Sequence, residues 1–208
     1  MSKNFVELVF ILDMSGSMSG LIDDTIGGFN SLINKQKKES GEALVTTVVF
    51  NSSAETIHDR ISIADVPQLT ENEYVPQGNT ALLDAVGDTI HHIERIHKYI
   101  REEDVPEKTL VVITTDGMEN ASREYRTSDI KTLIENKKSK NGWEFIFLGA
   151  NIDAAETSES LGIAREYSAD YCATCAGTSL MYETVADTVS SFVKNKSISK
   201  AWNKNLKK

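Results

Sequence analysis

Only two cysteines, Cys172 and Cys175, occur among 208 residues, too few for a disulfide framework, so a reducing compartment is the natural expectation. Prolines number three, and no Pro- or Gly-rich linker divides the chain, which implies one domain with a full core. No apolar run approaches the ~20 residues that a membrane-spanning helix needs. The first ten residues, "MSKNFVELVF", run straight into a strand pattern without signal-peptide architecture. A cytoplasmic location and no membrane partner are therefore expected.

Positive charge is scarce as well. The net charge is −9, although residues 194–208, "KNKSISKAWNKNLKK", hold six lysines and no acid. The acidic body repels phosphate backbones and favours cations, so nucleic acid has no expected surface outside this basic tail. The tail reads as a solvated, frayed end following a domain at 1–193, with Trp202 docked back on the domain or on a partner.

The chain is rich in buried-strand patterns alternating with amphipathic ones. Residues 5–12, 43–50, 108–115 and 143–150 are nearly continuous apolar runs, as strands covered on both faces are. Residues 54–63 alternate and are more polar, suiting an antiparallel edge. Helical stripes follow over 21–38 (Ile22, Ile26, Phe29, Ile33), 80–100 (Leu83, Val86, Ile90, Ile93, Ile100), from Thr127 or Ser128 onward (Ile130, Leu133, Ile134), and over 178–193 (Val185, Val189, Phe192). A short helix is expected to end at Leu161 before Gly162, and 165–169 to form a last short strand. Residues 64–79 read as loop. The expected fold is a doubly wound α/β domain: a mostly parallel sheet, one antiparallel edge strand, and helices on both faces.

Ligands in such sheets bind beyond the carboxyl ends of the strands. Three of those ends read "LDMSGSM", "TTDGMEN" and "LGANIDA". Asp13, Ser15 and Ser17 alternate just where the first strand stops, so one bend delivers three oxygens toward one point. Thr80, in "QGNTALLDAV", opens a helix, and Asp116 follows a buried strand. Two carboxylates and three hydroxyls, without histidine or cysteine, are the donor set of a hard divalent cation, Mg²⁺ foremost, with Mn²⁺ or Ca²⁺ as substitutes.

These three motifs in this order resemble the von Willebrand factor type A domain and its metal-ion-dependent adhesion site, over essentially the whole chain. The resemblance implies that Ser15, Ser17 and Thr80 ligate the metal directly and that Asp13 and Asp116 act largely through water. It also implies that a protein partner's Asp or Glu fills the remaining position. "TDGMENAS" looks most like the intracellular bacterial and phage members, some of which work beside ATPases; an ATPase-containing complex is one expected partner. No enzyme activity is implied.

Other readings compete. A haloacid-dehalogenase-like phosphatase would use Asp13 as nucleophile, but Ser15 stands where its second acid belongs, and "GNT" would go unexplained. A scaffold with a purely structural metal is a further alternative. "CATC" suggests a dithiol or half a zinc site; two small buried residues near a helix start explain it more cheaply. His91, His92 and His97 share one helix and suit solvated or boundary positions. Asn151 and Asp153 are expected on the same rim as the metal loops, bonding them or shaping the partner surface, with a helix cap by Asp153 as the alternative. Met14, Met18 and Met118 are candidates for an adaptable contact surface.

Overall fold

A computed structural model describes residues 5–39 and 42–206. Met1–Asn4 and the last two lysines of the basic tail lie outside the described residues. Six strands form one sheet: β1 (Phe5–Asp13), β2 (Glu42–Phe50), β3 (Ala54–Ser62), β4 (Lys108–Thr115), β5 (Glu144–Gly149) and β6 (Ser168–Asp170). Their order is β3-β2-β1-β4-β5-β6, all parallel except β3, which returns antiparallel beside β2. Five helices flank the sheet: α1 (Ile22–Lys38), α2 (Leu82–Tyr99), α3 (Thr127–Asn141), α4 (Ala154–Ser160) and α5 (Cys175–Asn195).

The pleat of β1 explains why both faces are covered. Val6, Leu8, Phe10 and Leu12 point into a layer with Phe29 and Leu32 of α1 and Val185 and Val189 of α5. Val9 and Ile11 point the other way, against Val86, Ile90 and Ile93 of α2 and Ile130 and Ile134 of α3. With both faces buried, the strand has almost no polar position. Besides Asp13 at its end, the exception is Glu7, fully buried, whose carboxylate meets His97 Nε2 at 2.8 Å and the Arg60 guanidinium at 3.3 Å. Thus His97 is a boundary residue within hydrogen-bond reach of a buried acid, while His92 pairs with Asp59 near solvent.

The chain winds from β1 through α1 to β2 on one side, then crosses through α2 to β4 on the other. The segments leaving β1 and β4 therefore diverge to opposite faces, and a crevice opens between their carboxyl ends.

Several expectations shift at the element ends. A 3-10 helix over Gly16–Leu21 precedes α1. Helix α2 begins at Leu82, two residues beyond Thr80, so Thr80 stays in the loop. Ile26 and Leu133 are only half-buried, and Ile100 ends α2 as its C-cap instead of joining the stripe. Helix α5 starts at Cys175 because Thr174 caps it, accepting from Gly177 N at 3.2 Å. Cys172 and Cys175 are exposed free thiols, which corrects the buried reading.

The described part of the basic tail is not the frayed end expected of it, whereas Trp202 does dock back on the domain. Ile198, Trp202 and Asn203 are buried, and Trp202 Nε1 donates to Glu166 O at 2.7 Å. Asn203 Nδ2 donates to Ser168 O at 2.9 Å, covering the outer edge of β6. Lys200 between these anchors and Lys204 just after them are exposed, so a charge count hides a docked segment. Among the described residues, no helix is long and apolar enough to cross a membrane.

Candidate metal centre

The bend after β1 is built on Asp13. Its Oδ1 accepts from Ser15 N at 2.7 Å, a local turn that swings the two following hydroxyls inward. Its Oδ2 accepts from Thr115 Oγ1 at 2.6 Å, tying the ends of β1 and β4 together. Ser15 Oγ lies 3.1 Å from Ser17 Oγ, and Ser17 Oγ donates to Asp116 Oδ1 at 2.5 Å. Asp13, Ser15, Thr80 and Asp116 are all buried.

Thr80 reaches the same place from the third loop. Gly16 N donates to Gly78 O at 3.1 Å, holding the two loops in register, and Gly78 adopts φ +71°, open to glycine at little cost. A Cβ built on Gly117 would lie 3.7 Å from Thr80 Oγ1 and 3.9 Å from Ser17 Oγ. Both hydroxyls therefore face one cradle beside that glycine. Among the described residues no hydrogen bond engages the Thr80 hydroxyl, nor does any group of three or more His, Cys, Asp and Glu side chains gather to hold a metal. A cation here has to draw on hydroxyls, and the five oxygens present fit one.

Charge points the same way. Burial pushes the Asp116 carboxyl above its ordinary range, Ser17's donated hydrogen bond opposes this, and the nearby Asp13 charge raises it further. Two carboxylates held this close in a half-dry cleft repel each other, and a cation would relieve both.

The structure also shows supports that sequence reading missed. Asn120 Oδ1 accepts from Thr80 N at 2.9 Å while Asn120 N donates to Thr80 O at 3.0 Å, a two-sided clamp. Glu119 accepts from Leu83 N, and Ser122 Oγ from Asp84 N, so the loop after β4 supplies the cap that α2 lacks. Asp84 returns the bond, accepting from the backbone N–H of Arg123, Glu124 and Tyr125. Tyr74, buried, donates to Asp13 O at 2.6 Å. Nothing within "MENAS" itself signals these roles, because the groups that Glu119, Asn120 and Ser122 serve lie 36 to 40 positions earlier in the chain.

Asn151 and Asp153 do lie on this rim. Asn151 Nδ2 reaches Asp116 O at 3.4 Å, while Asp153 caps α4 by accepting from Glu156 N at 2.8 Å. Of the three methionines, Met14 and Met18 are buried in the core; only Met118, 75% exposed, is free to meet a partner. Val75, 48% exposed, is the other large apolar residue that faces solvent in the loops leading to the site.

Thr115→Val tests the support. The buried hydroxyl bridges Asp13 and the Gly117 backbone, so its loss should weaken Mg²⁺ affinity about tenfold while β4 stays intact. Calorimetric titration with the metal reads this; an unchanged affinity would detach Thr115 from the site.

No family model matches the chain, and no curated protein sequence does. Solved structures do. The proximal thread matrix protein 1 of the mussel byssus, solved with a zinc-occupied MIDAS motif, superposes with a TM-score of 0.65 at 17% identity over 89% of this chain. The von Willebrand factor domain of the type V pilus tip protein Mfa5 from Porphyromonas gingivalis gives 0.65 at 10% identity, covering 96% of this chain and 99% of that one. A von Willebrand factor type A structure from Catenulispora acidiphila gives 0.60 at 13% identity over 91% of this chain. The chain spans 46% of the mussel protein and 43% of the Catenulispora one. The fold is that of von Willebrand factor type A domains.

Proposed function

We propose that this chain is a metal-dependent interaction module without catalysis of its own, working in the cytoplasm. Asp13, Ser15, Ser17, Thr80 and Asp116 hold Mg²⁺, or Mn²⁺ or Ca²⁺ in its place, and an Asp or Glu of a protein partner completes the site. One observation carries this: two carboxylates and three hydroxyls from three loops converge on one cradle, where among the described residues no group of three His, Cys, Asp or Glu side chains gathers. The bound cation would supply an under-neutralised positive charge, since hydroxyl ligands add none of their own. Met118 and Val75, exposed on loops that carry the site, would offer a partner apolar surface, and the acidic body makes long-range attraction a small part of affinity. The mussel protein's zinc-occupied MIDAS motif supports a divalent ion on this fold.

The alternative of a purely structural staple is less well supported. Ser17 to Asp116, Thr115 to Asp13 and Asn120 to Thr80 already tie the loops together. An ion is not needed to hold them.

Thr80→Ala removes one ligand from a loop whose backbone is clamped independently, so the fold should persist. Proteins retained by the immobilised chain in Mg²⁺ should be lost on adding EDTA and on the Thr80→Ala surface. Retention of the same proteins through both changes would place the interaction elsewhere and overturn the proposal.

A further inference from the structure

At the end of the domain away from the metal cradle, helices α2 and α3 part to leave an open groove of about 770 Å³. Helix α2 starts at the rim and runs ~27 Å to reach it, at 1.5 Å rise per residue. In a chain with 31 acidic residues against 22 basic ones, its lining is inverted: Arg95, Lys98 and Lys137 line it, with Glu94 as the one acid. Lys137 is spoken for, paired with Glu94 and lying 5.6 Å from the centre of the Trp143 ring. Arg95 and Lys98 are exposed, and among the described residues neither makes an ion pair.

Beside them stands Tyr99, 77% exposed, with Lys98 Nζ 5.5 Å from its ring centre. Cations near a helix C-terminus ordinarily complement its dipole. That accounts for Lys98, in the last turn of α2, but not for Arg95, a full turn earlier, nor for a large aromatic left in water. Arginine, tyrosine and tryptophan grouped around a concavity are the composition of an interface hot spot.

We propose that this groove is a second docking surface, for a short acidic peptide segment of a protein partner, independent of the metal. Arg95 and Lys98 would meet its carboxylates, and Tyr99 its apolar or aromatic side chains. A short segment is favoured over nucleic acid on physical grounds. A long polyanion leaving the groove must run along an acidic body, whereas a short segment ends within it.

Fluorescence anisotropy of a labelled Glu-rich decapeptide, titrated with the full chain in EDTA at low salt, tests this. Binding should weaken several-fold in Arg95→Ala or Lys98→Ala, about tenfold in the double variant, and similarly in Tyr99→Ala, with circular dichroism unchanged. A Lys200→Ala/Lys204→Ala variant, altering the basic tail instead, should bind as wild type. Three results overturn the proposal: no binding, binding lost with the tail variant but kept in the groove variants, or a dT10 oligonucleotide bound more tightly through Arg95 and Lys98. Because EDTA is present throughout, failure here leaves the metal-site reading untouched, and the reverse also holds.

Discussion

Metal-stripped protein is expected to melt about 5–10 °C higher once Mg²⁺ reaches a hundredfold excess over its dissociation constant, and Asp13→Ala to show no such shift. A ligand bound only by the native state adds about 2.7 kcal/mol at that excess. For a chain of this size each kcal/mol moves the midpoint by roughly 2–4 °C. Asp13 is the residue to remove because it does two things at once. It orients Ser15 through that residue's backbone N–H and anchors to β4 through Thr115. Without it the hydroxyls lose their common direction and the cleft loses half its negative charge. The variant's own melting temperature can move either way, since a buried repulsion with Asp116 also disappears. The readout is the metal-induced difference. Equal shifts in wild type and Asp13→Ala would remove Asp13 from the site.

Trp202→Ala should be the most destabilising change outside the core of the sheet, lowering stability by about 3 kcal/mol, or roughly 6–12 °C. The indole is 6% exposed, packs into the same layer as Val185 and Phe192, and its N–H has a partner in Glu166 O. Truncation leaves a cavity and an unmet carbonyl together. A frayed tail would predict no change at all. Thermal unfolding in EDTA distinguishes these outcomes without involving the metal.

What could be read from the sequence follows from which signals are local. Parallel strands buried on both faces have to be apolar throughout, so β1, β2, β4 and β5 stand out as runs. The polar oxygens at Asp13, Ser15, Ser17 and Asp116 stand out because they interrupt such runs at the strand ends. Residues whose partners lie far along the chain stay silent. Glu119, Asn120 and Ser122 serve Thr80, Leu83 and Asp84, about 40 positions earlier, and nothing in their own neighbourhood marks them. The lysines of the tail obscure its docking, because Ile198, Trp202 and Asn203 make the contacts while Lys200 and Lys204 stay in water. Small size alone does not bury a cysteine: Cys172 and Cys175 lie exposed around the start of α5. Met14 and Met18 sit beside the site loop in sequence but turn into the core, whereas Met118, after the strand has ended, does not.

The central claim is that five oxygens from three loops hold one divalent cation. Anomalous difference density from crystals grown with Mn²⁺ tests it most directly. The account predicts a peak bounded by the hydroxyls of Ser15, Ser17 and Thr80, with the carboxylates of Asp13 and Asp116 around it, absent in Asp13→Ala. No density in that cradle at millimolar Mn²⁺, or a peak held by other residues, would contradict it.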